Sequence, residues 1–306
     1  MNKLRTLNLE PRTSNASYGD AIQFKVQSSK FKVQGSFAQG EWLLLNSGPG
    51  DAALNMALDE ALLESMLRLG RPVVRFYGWT EPAATFGYFQ KYADVERATH
   101  LRPLIRRHTG GGIVPHDADW TYSLAFPPGH EWHSLKAEES YRRVHEWIQK
   151  AFVKLNIETK LATKCKKSVP SSRSSRREEA LESGSQPSTL NPQPGNQSLL
   201  TSAATSVLPG QCFAGYEKYD VLWHGQKIAG AAQRRNKLGL LIQGSVQSRC
   251  IGTAIARTDW QKAMGDVGRV EFGAEWSDYA PDETLRERAE FLARQKYSQP
   301  AHNRKR

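Results

Sequence analysis

The chain has 306 residues, of which 39% are apolar and 24% charged, and it carries a formal net charge of +11. That length holds one large domain or two modest ones around a buried core, and no stretch approaches the ~20 apolar residues of a membrane span, so a soluble globular protein is expected and no membrane partner. The charge is uneven: a net +4 falls in residues 1–40 and a net +3 in 164–208, both poor in core-forming pattern. The folded part is therefore only mildly basic, which disfavours nucleic acid as a partner, while an acidic protein partner fits. The opening MNKLRTLNLEPRT lacks a secretory apolar run, and Cys165, Cys212 and Cys250 show no CxxC spacing. Both features point to free thiols in the cytoplasm.

In chain order, residues 1–40 repeat FKVQ only once, at 24–27 and 31–34. This is too short for a solenoid and is read as a poorly ordered extension. DAALNMALDEALLESMLRLG then places Leu54, Leu58, Ala61, Leu62 and Leu69 on one helical face, with Asp51 as its cap and Gly70 as its stop. VVRFYGW, LIRR and TYSLAF are strand-like runs, and AEESYRRVHEWIQKAFVKL returns to helical spacing through Tyr141, Val144, Ile148, Ala151 and Leu155. From 166 to 208 the chain is rich in Ser, Pro, Gly, Gln and Asn, with too few apolar residues to offset ordering entropy, and is read as a disordered insertion. YDVLWH, KIAGAAQ and LGLLIQGSVQ are further strands, with a short turn at WHGQKI. A helical stripe follows near Leu285, Ala289 and Leu292, and 298–306 reads as a basic tail. Strands in hairpin succession without strict helix alternation favour an α+β fold, a mixed, largely antiparallel sheet flanked by helices. It occupies residues 41–297 as one domain interrupted by the insertion.

The most conspicuous local feature is RRHTGGGIVPHDADWTYS at 106–123. It is neither a Walker loop nor a GxGxxG turn opening a helix. Gly110, Gly111 and Gly112 can equally be a structural turn or bare backbone against which a ligand lies. Arg106 and Arg107 close a strand, so period 2 sends them to opposite faces and at most one meets the same ligand. His116 can donate to a substrate carbonyl, or be a surface loop residue. Cys212, where folded pattern resumes after the insertion, can be a small buried apolar group or a nucleophile. Lys227 can be a solvated strand end or a site cation beside Gly230 and Ala231.

RRHTGGGIVPHDADWTYS resembles the family pattern RRxSGGGxVxHxxxxxYS, and DVLWHGQKIAGAAQRR resembles DxxxxGxKIxGxAQxR. PVVRFYGWTEPAATFGYFQ is similar to the strand-turn-strand that precedes them. Together they resemble the lipoate-protein ligase and octanoyltransferase superfamily, whose catalytic domain is related to biotin protein ligase. The resemblance covers about 41–161 and 210–248, both sides of the insertion. It implies either an octanoyltransferase, taking the acyl group from acyl carrier protein onto a cysteine and passing it to a lysine of a lipoyl-domain protein, or an ATP-dependent lipoate ligase. A Cys-Phe pair shortly before the GxKIxG lysine, here Cys212 and Phe213, resembles the cysteine-dependent branch. That branch implies Cys212 as nucleophile and Lys227 as its catalytic partner. It also implies substrate contacts from Arg106, Arg107, Gly110, Gly111, Gly112 and His116, with the Gly230 and Ala231 amides holding the acyl carbonyl. It needs no cofactor; ATP and magnesium would enter only with the ligase. A non-catalytic acyl-binding or nucleic-acid-binding module of the same fold is the alternative of another class. Thr109 stands where the pattern has Ser, Ala231 where many relatives have Ser, and no Trp follows KYS.

Overall fold

A computed structural model of the chain describes residues 40–166, 215–251 and 254–306. All of the 1–40 extension but Gly40, most of the 166–208 insertion and Cys212 lie outside the described residues. Contacts divide the chain at 36/37, and everything described belongs to the second unit. Its elements in order are β1 (Glu41–Gly50), α1 (Ala52–Leu69), β2 (Val73–Trp79), β3 (Ala83–Phe86), α2 (Tyr92–Ala98), β4 (Leu104–Arg106), β5 (Val114–His116), β6 (Trp120–Phe126), α3 (Glu131–Ser134), α4 (Ala137–Lys154) and β7 (Lys160–Leu161). After the insertion come β8 (Val221–Trp223), β9 (Gln226–Asn236), β10 (Gly239–Val246), α5 (Arg257–Phe272), β11 (Glu275–Asp278), α6 (Glu283–Leu292) and α7 (Pro300–Asn303).

An eight-stranded sheet in the order β11-β1-β2-β6-β10-β9-β8-β7 forms the frame, and a three-stranded sheet, β4-β3-β5, accompanies it. β1 runs parallel to β2 and β11, whereas β2, β6, β10, β9, β8 and β7 pair antiparallel in succession. The α+β, largely antiparallel architecture is thus the observed one. β7 and β8 flank the insertion and pair with each other, and Lys166 and Tyr216 exchange backbone hydrogen bonds of 2.8 and 3.0 Å. Among the described residues no helix is long and apolar enough to cross a membrane.

The large sheet buries both faces. One apolar cluster joins Val74, Phe76 and Leu124 to α4 and α5 through Trp147, Ile148, Trp260 and Met264; the other joins Leu43, Val73 and Tyr77 to α1 and α6 through Leu62, Leu63, Met66 and Leu285. α1 starts where the Asp51 carboxylate accepts from Leu54 N–H at 2.8 Å and stops at Gly70, whose φ of 64° releases the chain. The β8–β9 turn is the expected short one: His224 and Gly225 have φ of 46° and 78°, the two positive values of a type I′ hairpin.

Two expectations change. Leu54 and Leu58 are only half-buried, while Asn55 and Asp59 of α1 are buried against the sheet. Residues 298–306 do not trail away: α7 docks on β4, where Asn303 Oδ1 accepts from Arg106 N–H at 2.9 Å and its amide donates to Tyr297 O at 2.8 Å.

Candidate active site

Between β9, β10, Tyr77 and the small sheet lies a cavity walled by Met56, Val114, Ala231, Ala232 and Gly244 and edged by Arg107, His116, Lys227 and Ser245. Each edge group is fixed by a different element.

Lys227 stands near the start of β9. Its ammonium lies 2.8 Å from Asp220 Oδ2, with side chains only 7% and 0% exposed. The reading of a solvated strand-end lysine is therefore overturned. The amine lies across Gly230: a Cβ there would meet Lys227 Cε at 2.5 Å and Nζ at 2.7 Å. Asp220 also accepts from the Tyr141 hydroxyl and from Glu217 N–H. Burial and that carboxylate push the Tyr141 phenol well above its ordinary range, which keeps it a hydroxyl donor at neutral pH. Beside it, burial pushes His145 down to about 4, so the ring is neutral and donates from Nδ1 to Tyr141 O at 2.7 Å. Among the described residues, the charges acting on His145 are those of Asp220 and Lys227. Gly230 and Ala231, whose amides are expected to hold an acyl carbonyl, both line the cavity beside Lys227.

A second chain of polar groups crosses the cavity. Arg107 Nη1 donates to Thr85 Oγ1 at 2.9 Å, Thr85 Oγ1 lies 2.7 Å from His116 Nε2, and His116 Nδ1 lies 2.9 Å from Asp119 Oδ2. The Asp119 carboxylate can only accept, so Nδ1–H donates to it. Thr121 and Ser245 also donate to Asp119 Oδ2, at 2.9 and 2.7 Å. The His116 ring stacks on Trp79 with centroids 3.8 Å apart. His116 is thus a buried member of the site and not a surface loop residue. Both its nitrogens are engaged, so donating to a substrate carbonyl requires breaking the Thr85 bond.

The two arginines separate as the strand period requires. Arg107 faces the cavity and holds the glycine turn, donating to Gly110 O at 2.8 Å and Gly112 O at 2.9 Å. Arg106 does not face it. Its guanidinium donates to Tyr88 O, Gln90 O and Asn303 O at 2.7–3.0 Å and lies over the Phe86 ring. The expectation of a substrate contact from Arg106 is corrected: it clamps α7 and the 88–90 turn to β4.

Gly110, Gly111 and Gly112 stand behind the wall formed by Arg107 and Val114 and are not among the residues lining the cavity. Gly111 has φ of 87°, and its carbonyl lies where a Cβ on Gly87 would sit, 1.9 Å away. The turn's visible role is close backbone approach. Thr109 ties it inward, donating to Gln243 Oε1 at 2.7 Å, while Gln243 donates to Asp59 Oδ2 at 2.7 Å. Asp59 also accepts from Arg75, Ser123 and Tyr77. Asp220, Asp119, Thr85 and Gln243 carry the site without having been singled out in the sequence. Asp119, three residues after His116, and Asp220, first residue of the lysine motif, were the two within reach of pattern.

The sheet thus brings the Lys227–Asp220 pair and the Arg107–Thr85–His116–Asp119 chain to the edge of one cavity, the arrangement of a candidate catalytic domain. The sequence matches the lipoyl protein ligase A/B catalytic domain over residues 51–258, and the chain belongs to that family. It is 32% identical over 211 residues to octanoyltransferase LipM of Staphylococcus aureus, covering 67% of this chain and 65% of that protein. To octanoyltransferase LipM of Halalkalibacterium halodurans it is 34% identical over 212 residues, again 67% and 65%. The chain thus spans just under two thirds of the length of these relatives. A structure of a bi-partite lipoate protein ligase from Thermoplasma acidophilum superposes with a TM-score of 0.56 at 18% identity, covering 87% of this chain and 96% of the other. At that identity the likeness is one of fold.

Proposed function

We propose that this protein is a cytoplasmic octanoyltransferase that moves an octanoyl group from acyl carrier protein, through a thioester on Cys212, to a lysine of a lipoyl-domain protein. The observation that supports it best is the buried Lys227 ammonium at the edge of an apolar-walled cavity, in a chain whose relatives are named octanoyltransferases. Cys212 precedes Lys227 by fifteen positions in the sequence.

The Cys212 thiolate attacks the thioester carbonyl of the donor, the carrier's thiol leaves with a proton, and the acyl group passes to sulfur. The uncharged amine of the acceptor lysine then attacks the new thioester, an amide forms, and the thiol is regenerated after one proton is lost from nitrogen. Each step develops charge on the carbonyl oxygen. Lys227, held as an ammonium opposite Asp220, is the donor for that oxygen. The same carboxylate offsets much of the ammonium's field, so its help to the thiolate is smaller than a lone cation would give. Seven CH2/CH3 groups at ~0.8 kcal/mol each give an apolar wall enough energy to select an eight-carbon tail over shorter ones. The donor's thioester supplies the activation, so ATP is not required by this route.

Intact-mass spectrometry after incubation with octanoyl-carrier protein tests the reading. An octanoyl adduct that disappears when lipoyl domain is added supports it. Modification of the lipoyl domain only with free octanoate and ATP would instead establish a ligase.

A further inference from the structure

Arg234 follows the cavity-lining Gly230 and Ala232 on one face of β9 by the strand's period of two. Its guanidinium lies 5.8 Å from the Tyr88 ring centroid, and its Nε is buried without a hydrogen-bond partner among the described residues. The docking of α7 brings two more cations to the Tyr88 and Phe89 rings and a third to the neighbouring Tyr92. Lys305 Nζ is 3.9 Å from the Tyr88 centroid, Arg306 is 5.6 Å from Tyr88 and 5.4 Å from Phe89, and Arg304 lies over Tyr92 at 5.1 Å. The Tyr88 phenol is pulled below its ordinary value, first by its hydrogen bond from Lys305 and then by the charge of Lys305. Phe89 is 67% exposed, and Arg304, Lys305 and Arg306 are exposed. Cations nearby are paired with acids: Arg97 with Asp94, Arg294 with Glu290, Lys296 with Glu60. Among the described residues the patch cations are held by rings and have no carboxylate partner. An exposed aromatic within unneutralised positive charge is the composition of a docking surface for an acidic protein.

We propose that this patch docks the acidic surface of the protein that delivers the acyl group, a proposal that rests on the transferase reading. Distance along β9 favours the donor over the acceptor. Lys227 and Arg234 are seven residues apart on one strand, about 23 Å at ~3.3 Å per residue. The acceptor offers its amine on a four-carbon stem, so its body must sit beside Lys227. A donor whose acyl group rides a long flexible arm can dock its body at Arg234 and still present the thioester.

The test compares two donors in the full chain: octanoyl-carrier protein, and the octanoyl thioester of a small uncharged thiol. Arg234→Glu with Lys305→Glu should raise KM for the carrier-bound donor at least tenfold at low salt, leave kcat/KM for the small thioester within twofold, and lose its effect as salt is raised. Arg234→Gln should show the same selectivity, smaller, and answers the objection of a new repulsion. Equal loss with both donors would mean that the patch supports the site and not docking, and would overturn the proposal. So would a rise confined to KM for the lipoyl domain, or loss of nucleic-acid binding with donor kinetics unchanged. If the unmodified protein uses neither thioester, the transferase reading fails instead.

Discussion

Substituting alanine at Gly230 perturbs Lys227 without removing it. The added Cβ would lie 2.5 Å from Lys227 Cε, 2.7 Å from Nζ and 3.1 Å from Asp220 Oδ1. Carbon atoms rest about 3.5–4.0 Å apart, so the lysine end must move by at least about 1 Å. The neighbour that gives way is a flexible side chain, so the strand keeps its register with β10. A displacement of about 1 Å at a reacting centre costs on the order of a hundredfold in rate, about 2.7 kcal/mol at 1.36 kcal/mol per decade. Stability falls less than the about 3–5 kcal/mol of breaking a buried pair outright, because the ammonium stays near Asp220. The assay is single-turnover acylation by octanoyl-carrier protein, beside thermal unfolding. Gly230→Ala in a Lys227→Ala background should add almost nothing, since both act through one amine. Wild-type rates for Gly230→Ala, or full additivity in the double variant, would refute the placement of Lys227 in the chemistry.

Cys212→Ala and Cys212→Ser should abolish acyl-enzyme formation with unfolding unchanged, while Cys165→Ala and Cys250→Ala keep it; intact mass decides. Asp220→Asn should lower kcat at least tenfold, and Asp220→Glu should recover part of it, because Asp220 acts by aiming Lys227; an unchanged kcat in Asp220→Asn would refute this. Burial holds His145 down to about 4, so between there and its ordinary ~6.5 the unfolded chain binds the extra proton. Stability is then full above pH ~6.5 and falls by up to about 3 kcal/mol as pH drops through that window. His145→Gln should flatten this acid limb in denaturant titrations, and an unchanged limb would refute the assignment.

The residues that were legible in the sequence are those whose neighbours are local. The helix over α1, its Asp51 cap, the His224-Gly225 turn and the divergence of Arg106 from Arg107 each follow from periodicity or backbone preference. What escaped depends on chain segments far apart. Asn55 and Asp59 break the apolar stripe of α1, and their burial makes sense only once Gly78, Arg75 and Gln243 stand opposite. Arg106 looked available until α7, nearly two hundred residues later, covered it. α5 carries a helical stripe, Trp260, Ala263, Met264 and Val267, which Gly265 and Gly268 obscure; Gly268 is required where a Cβ would lie 2.6 Å from Trp276. The glycine turn was legible as a site of close approach, but that approach proves to be to Gly87.

The buried polar network under α1 has a consequence for how such a chain can diverge. Asp59 receives donors from Arg75, Tyr77, Ser123 and Gln243, on three different strands. Loss of Arg75 alone strands a carboxylate that is 0% exposed, and loss of Asp59 alone strands a guanidinium at 2%. Either step costs about 3–5 kcal/mol, a large part of a domain's whole stability. Replacing both with apolar groups of matching shape can be close to neutral. The route between two acceptable sequences therefore passes through an intermediate that barely folds, and substitution at 59 becomes tolerable only alongside substitution at 75. Across related chains these positions should drift as a linked set, with 77, 123 and 243 following, even though 59 and 243 lie 184 residues apart.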